Sequence, residues 1–122
     1  MMASKSLKVY HYAKCGTCRA AVKWLQARGY ALELHDLFEQ PASEDEIRGW
    51  LRIGGRELKS FFNTSGEVYK EQNLKDKLPK MSEEERIAVL ASNGRLVKRP
   101  VVTDGNRLTV GFKEDEYERV WG

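Results

Sequence analysis

The 122-residue chain contains no long apolar run, no internal repeat and no low-complexity tract. A membrane-spanning helix needs about 18 consecutive apolar residues, which no stretch of the chain approaches. The first six residues also lack the apolar run of a signal peptide. Linkers rich in Gly, Ser or Pro are absent as well. We therefore expect a single domain, 1–122, in the cytoplasm, with no membrane partner.

An excess of one charge is also missing. Lys and Arg number 21 against 18 Asp and Glu, which gives a net charge of +3 with both signs interleaved along the chain. A nucleic-acid-binding surface would concentrate Lys and Arg on one face. We therefore expect no direct nucleic-acid partner. The hydrophobic fraction of 41% and the charged fraction of 32% are typical of a soluble globular protein.

Cysteine and histidine are scarce, with Cys15, Cys18, His11 and His35 as the full set. Two cysteines three positions apart do not form the disulfide framework of a small secreted domain. In a reducing compartment such a pair is catalytic, redox-sensing or metal-binding. A zinc site needs two further ligands, and the histidines lack the usual ligand spacing. We expect no metal, while a zinc site and a pair of inert buried cysteines remain as alternatives.

The N-terminal third has the pattern of a βαβ unit. A β-rich run covers Leu7–Tyr12, and a helical spacing of apolar residues begins at Gly16. Gly29 suits the end of that helix, and Ala31–Leu37 is typical of a second strand. Two strands joined through a helix within about 30 residues are expected to pair in parallel.

The middle of the chain contains two capping boxes. Ser43 with Glu46, and Ser82 with Glu85, each predict the first turn of a helix. These helices are expected to end at Gly54-Gly55 and Asn93-Gly94. Shorter helices are predicted near Leu58–Phe62 and Leu74–Leu78.

The C-terminal part predicts a hairpin and a helix. Val101–Thr103 and Arg107–Val110 flank the turn residues Asp104-Gly105-Asn106, and a final amphipathic helix carries Tyr117, Val120 and Trp121. The element order is βαβ, a helical insert, ββ and α. This order predicts an α/β protein with a mixed sheet of about four strands.

The two cysteines lie where the first strand leads into the first helix, in the run Cys15-Gly16-Thr17-Cys18. The N–H groups and dipole of a helix N-terminus favour an anion, so a thiolate there has a lowered pKa. Lys14 and Arg19 add positive charge nearby. We therefore predict Cys15 as the exposed nucleophile and Cys18, one turn inward, as the resolving thiol.

Three segments together resemble the arsenate reductase/Spx family of thioredoxin-fold proteins: YHYAKCGTCR at 10–19, LVKRPVV at 96–102 and VGFKEDEYERVWG at 110–122. The chain is most similar to the small C-x-x-C branch of bacterial members. The resemblance implies a thioredoxin-like βαβ–ββα core with a helical subdomain inserted at about 43–94. It also implies a cis peptide before Pro100, facing the dithiol.

The resemblance further implies which residues surround the nucleophile. Arg99 is expected to contact an anion or thiolate near Cys15, and the substrate-binding set is Lys14, Gly16, Thr17, Arg19, Arg99 and Pro100. From the residues alone, a plain strand start is the favoured interpretation of Pro100, and a solvated charge is the alternative for Arg99.

Two positions depart from the family pattern. Arsenate reductases bind the oxyanion with three arginines, of which Arg99 matches one; Asn63 and Phe112 stand at the other two positions. Arginine contacts to such an anion are charge-assisted and strong. We therefore expect weak arsenate reduction.

Taken together, the sequence predicts a thiol–disulfide oxidoreductase that reduces glutathione mixed disulfides or protein disulfides through Cys15 and Cys18. No bound cofactor is expected, and glutathione or another thiol is the expected co-substrate. The alternative, implied by the resemblance, is an Spx-like redox-switched transcription regulator that binds the RNA polymerase α subunit. Arsenate reductase is the third hypothesis.

Overall fold

The computed structural model describes residues 6–122, which form two compact units. One unit comprises the residues up to Asp36 together with Arg99–Gly122, and the other comprises Leu37–Lys98. No helix in the described range combines the length and apolar character needed to cross a membrane.

The strands and helices follow one another in the order β1 (Ser6–His11), α1 (Gly16–Ala27), β2 (Ala31–Asp36), α2 (Glu44–Gly54), α3 (Glu67–Glu71), α4 (Leu74–Lys77), α5 (Glu83–Ser92), β3 (Val101–Thr103), β4 (Leu108–Val110) and α6 (Glu114–Trp121). Three short 3₁₀ helices occupy Leu58–Phe61, Leu78–Lys80 and Gly94–Leu96. The first unit therefore holds all four described strands with α1 and α6, and the second unit is helical.

The sheet of the first unit is mixed and has the strand order β2-β1-β3-β4. Strand β1 pairs with β2 in parallel and with β3 in antiparallel orientation, so that Val9 lies between Leu34 and Val102. The parallel βαβ pairing and the β3–β4 hairpin predicted from the sequence are confirmed. Strand β1 is an interior strand, with β2 on one side and β3 on the other. Its C-terminal end, where the loop that carries Cys15 begins, is therefore held in place by both neighbours.

One buried cluster joins the sheet to both helices of the first unit. Val9 from β1, Leu25 from α1 and Trp121 from α6 are at most 1% exposed and share this cluster. The Trp121 indole N–H donates to Thr109 Oγ1 at 3.1 Å, and the Tyr117 hydroxyl donates to the Gly111 carbonyl at 2.9 Å. Since buried polar groups need partners, these bonds let large aromatic side chains fill the core without a polar penalty.

The helices of the second unit begin as the capping boxes predict. The hydroxyls of Ser43 and Ser82 accept the N–H groups of Glu46 and Glu85, whose carboxylates accept the serine N–H groups in return. Helix α2 is followed by its C-cap residue Gly55, which has the left-handed backbone (φ 59°) that favours glycine.

The structure differs from the sequence-based expectation in two places. Helix α3 was not predicted, because its five residues contain a single buried side chain, Tyr69, and so carry no helical period. Gly94 does not simply end α5; it opens a 3₁₀ helix, and a Cβ there would lie 1.9 Å from the Leu37 carbonyl oxygen. Glycine is required at this position by a close backbone approach.

Candidate functional site

The loop after β1 places Cys15 at the start of α1. The Cys15 N–H donates to the Tyr12 carbonyl at 3.0 Å, and the Cys15 carbonyl accepts the Arg19 N–H at 3.0 Å. Cys15 is the N-cap residue, with the extended backbone (φ −83°, ψ 119°) usual at that position. The first helical turn therefore projects its unpaired N–H groups toward the Cys15 side chain.

The two sulfur atoms differ in how accessible they are. The backbone N–H of Cys18 donates to Cys15 Sγ at 3.4 Å. The sulfur thus takes the place of the hydroxyl or carboxylate oxygen that accepts this bond in an ordinary N-cap. Cys15 is half-buried, whereas Cys18 is fully buried, and both are unbridged thiols. A reagent in solvent can thus meet Cys15 but not Cys18.

Opposite pKa shifts accompany this difference. Burial acts to raise the pKa of Cys15, but hydrogen bonds from the Cys18 side chain and backbone, together with the charge and a hydrogen bond of Arg99, lower it overall. Burial raises the pKa of Cys18 to about 12, with the neighbouring Cys15 sulfur adding to the increase. Cys15 is therefore the thiol that ionises first.

Arg99 reaches this site from the far end of the chain. Residue Val101, at the start of β3, pairs with Tyr10 of β1, so the segment that precedes β3 enters near the loop that follows β1. The Arg99–Pro100 peptide is cis, as the resemblance implied. The Pro100 carbonyl accepts the Gly111 N–H at 2.9 Å, which fixes the half-buried Arg99 beside the first turn of α1.

The remaining expected site residues lie on the solvent side of the same turn. Lys14, Gly16, Thr17 and Arg19 are all exposed. Arg19 Nε donates to the Ala13 carbonyl at 2.8 Å and so braces the loop before the cysteine. The cation that lowers the Cys15 pKa is Arg99.

Sequence reasoning gave no role to His11, which the structure places in a cleft beside Cys18. This cleft of about 270 Å³ is also lined by Val22, by Leu34, whose exposed fraction is 50%, and by the basic side chains of Arg19 and Lys23. Burial lowers the pKa of His11 and so favours its neutral imidazole. Strand alternation from the buried Val9 could have placed His11 on the α1 side of the sheet.

Asn63 and Phe112 stand at the two positions where the resemblance places arginines. In the second unit, the backbone N–H of Asn63 donates to the Leu96 carbonyl at 2.7 Å. In the first unit, the ring of Phe112 packs edge-on against Tyr117, with ring centroids 4.7 Å apart. Phe112 therefore belongs to the hydrophobic core of its unit.

A metal-binding arrangement is one of the two alternatives for the cysteine pair. Between residues 6 and 122, no three His, Cys, Asp or Glu side chains are grouped so that they could hold a metal ion. The nearby His11 is oriented into the cleft described above, beside Cys18.

Comparison with solved structures supports a thioredoxin-like α/β fold. A crystal structure from Streptococcus mutans, described as a possible arsenate reductase, superposes with a TM-score of 0.82 and is 36% identical. The match covers 95% of this chain and 99% of that chain. The thioredoxin-like fold expected from the resemblance is confirmed.

Sequence comparison identifies two kinds of relative. The uncharacterized protein YusI of Bacillus subtilis is 52% identical over 116 residues, which are 95% of this chain and 98% of YusI. The global transcriptional regulator Spx of Listeria innocua is 30% identical over 112 residues, 91% of this chain and 83% of that protein. The ArsC family model matches residues 10–120. This chain therefore belongs to the ArsC family.

Proposed function

We propose that this protein is a cytoplasmic thiol–disulfide oxidoreductase that reduces glutathione mixed disulfides or protein disulfides. One observation carries the proposal: an accessible thiol with a lowered pKa accepts the N–H of the residue that bears a second, buried thiol. A nucleophile and a resolving thiol in reach of each other are what disulfide exchange requires.

In the first step, the Cys15 thiolate attacks one sulfur of the substrate disulfide. A bond forms between Cys15 Sγ and that sulfur, the substrate S–S bond breaks, and the other sulfur leaves as a thiolate that takes a proton from water. The helix N-terminus and Arg99 stabilise the attacking anion and lower the pKa of Cys15, so more of it is ionised than of an ordinary thiol at the same pH.

In the second step, Cys18 attacks Cys15 Sγ. The proton of Cys18 passes to solvent or to the leaving sulfur, a Cys15–Cys18 disulfide forms, and the second substrate thiolate departs. The pKa of Cys18 is raised by burial and further by the sulfur of Cys15. The mixed disulfide removes the negative charge on Cys15, so Cys18 becomes easier to ionise at the moment when it is needed.

The cycle closes when an external thiol reductant donates two electrons to the Cys15–Cys18 disulfide. Two glutathione molecules would become one oxidised glutathione, and both protein thiols would be restored. We assign substrate contact to the exposed turn around Cys15, formed by Lys14, Gly16, Thr17 and Arg19, and to the half-buried Arg99 and the buried Pro100. Its positive charge suits the carboxylates of glutathione.

A second candidate is a redox-controlled transcription regulator, favoured by the 30% identity with a protein named global transcriptional regulator Spx. In this case the same dithiol would act as a switch, and the partner implied by the resemblance would be the RNA polymerase α subunit. Its oxidised form would differ from its reduced form in affinity for that partner.

A trapping experiment distinguishes these candidates. The Cys18→Ser variant lacks the resolving thiol, so substrates should remain covalently attached to Cys15 and be released by dithiothreitol. Mass spectrometry should recover glutathione or substrate proteins. A Cys15→Ser variant is the matched control and should trap nothing. RNA polymerase subunits that co-purify without a disulfide bond to Cys15, with no trapped thiol, would favour the regulator, and equal trapping by both variants would contradict the proposed nucleophile.

A further inference from the structure

The second unit contains a cavity of about 280 Å³ that plays no part in the dithiol chemistry. It lies among the first and second 3₁₀ helices and α3, α4 and α5. Its volume is just below the roughly 300–1,000 Å³ typical of small-molecule sites. The cavity is therefore large enough for a compact organic molecule.

The apolar part of the wall is formed by Phe62, Tyr69, Leu78 and Pro79. The first three are each at most 7% exposed, so they present only an edge to the cavity. The rings of Phe62 and Tyr69 pack edge-on with centroids 6.2 Å apart. Side chains held in this way form a preformed surface, which binds an apolar body without first having to be ordered.

The charged part of the wall is entirely positive, and consists of Lys59, Lys75 and Arg86. Within residues 6–122, neither lysine forms an ion pair. The Nε atom of Arg86 donates to the carbonyls of Leu78 at 3.0 Å and Met81 at 3.2 Å, which fixes the guanidinium in place. No carboxylate of residues 6–122 lines the cavity, so its positive charge is not compensated there by a described residue.

Two further features also favour an anionic ligand. The Tyr69 hydroxyl makes no hydrogen bond to any residue in the described part of the chain, although Tyr69 itself is buried. An adjoining cleft of about 410 Å³ shares Lys59 and Phe62 with the cavity and adds Arg56 and Lys98 against one carboxylate, Glu57. The field at the cavity mouth is therefore positive as well.

From this combination we propose that the cavity binds a small organic carboxylate with an apolar body, such as an aromatic or medium-chain monocarboxylate. The carboxylate contacts Lys75, Lys59 and the Tyr69 hydroxyl, and the apolar body rests against Phe62 and Leu78. An anion without an apolar body leaves the apolar wall in contact with water. A neutral molecule leaves Lys59 and Lys75 without a counter-charge.

The test uses the full-length reduced protein and three probes: 2-naphthoate, its neutral analogue 2-naphthamide, and acetate. Binding is followed by amide chemical shifts in ¹⁵N spectra and by calorimetry. We expect 2-naphthoate to shift the amides of Tyr69, Lys75 and Leu78 saturably. Naphthamide should bind about fivefold more weakly because it lacks the negative charge. Acetate should bind about tenfold more weakly because it lacks the apolar body.

Two exposed lysines of α4 provide a matched pair of variants, because Lys75 lines the cavity and Lys77 does not. Lys75→Gln should weaken 2-naphthoate binding about two- to fivefold, and Lys77→Gln should leave it within experimental error. Tyr69→Phe should weaken binding while preserving the apolar wall. Equal binding of naphthoate and naphthamide, equal effects of the two lysine variants, or shifts confined to other residues would each overturn the proposal.

Discussion

The backbone N–H of Cys18 donates to the Sγ atom of Cys15 across 3.4 Å, and the Cys18 side chain also lowers the Cys15 pKa. Cys18 thus stabilises the thiolate of Cys15 in the reduced protein, before the Cys18 sulfur takes part in disulfide formation. The backbone donor survives any substitution at position 18 except proline, whereas the side-chain donor is lost when the new side chain has no donor. This distinction makes the contribution of the Cys18 side chain measurable.

We expect Cys15 in a Cys18→Ser variant to react with iodoacetamide at a rate that rises with pH and is half-maximal below about 8.5, the value of a free thiol. Serine keeps a hydroxyl donor, so Cys18→Ala should have a higher Cys15 pKa than Cys18→Ser. The pH dependence of alkylation, or of thiolate absorbance, measures both. A midpoint at or above 8.5 in Cys18→Ser would contradict the assignment of Cys15 as nucleophile.

Replacement of Arg99 should raise the Cys15 pKa, because Arg99 is the cation that lowers it. We expect Arg99→Gln to slow alkylation of Cys15 at pH 6 by about threefold or more, since less thiolate is present there. Lys14→Gln is the control: it removes an exposed positive charge one residue away and should have a smaller effect, because solvent screens it. An equal effect of both variants would mean that the net charge of the loop decides the pKa.

Oxidation should join Cys15 to Cys18 within one chain, because the two residues share the first turn of α1. The ring is small, and stabilisation of the Cys15 thiolate favours the reduced form, so we expect a potential of about −200 to −270 mV. Equilibration with glutathione buffers, followed by alkylation and mass measurement, gives the value. A potential below about −300 mV would indicate a structural bridge. Dimers as the only product would exclude Cys18 as the resolving thiol.

Arsenate reduction by the native protein should be weak with any common thiol donor. Each charge-assisted arginine contact is worth about 1.5–3 kcal/mol, and Asn63 and Phe112 supply none. Phe112→Arg, in the same unit as Cys15 and Arg99, should increase arsenate turnover, with the exposed-turn substitution Asn106→Arg as a control for added charge. Phe112→Arg should also lower the free energy of unfolding by about 1–3 kcal/mol, because it removes a ring that packs against Tyr117. Strong arsenate turnover by the native protein would contradict this prediction.

Two glycines should respond in opposite ways to alanine. Gly94→Ala would press a Cβ against the Leu37 carbonyl and should lower the free energy of unfolding by roughly 3 kcal/mol or more. Gly16→Ala meets no atom within 4 Å in the first turn of α1 and should be neutral or stabilising by up to about 1 kcal/mol. Urea unfolding measures both values. A tolerated Gly94→Ala would show that the backbone at Leu37 can move away.

The sequence alone predicted the elements that have strong local signals. The capping boxes at Ser43 and Ser82 specify their helices within a single turn, and the apolar spacing from Gly16 specifies α1. Helix α3 lacked such a signal because Tyr69 is its only buried residue. Local patterns also could not show the contact between Gly94 and Leu37, which is separated by more than fifty positions.

The candidate site, like the fold, has parts that the sequence predicts and parts that it does not. The position of Cys15 at a helix N-terminus follows from the order of strand and helix, and the structure agrees. The proximity of Arg99 depends on the antiparallel pairing of β3 with β1, which only the family resemblance could suggest in advance. His11 was given no role because a single histidine at a strand end has many ordinary explanations.

The contact between Gly94 and Leu37 also bears on how this fold can evolve. Leu37 is the first residue of the second unit, and Gly94 lies four residues before its last, Lys98. A segment whose entry and exit touch resembles a cassette with adjoining ends, the kind of segment that a host domain accepts most easily. Residues can be gained or lost between these ends while the splice points after β2 and before β3 stay unchanged. Length variation among natural homologues should therefore concentrate inside the cassette, away from the loop that carries Cys15.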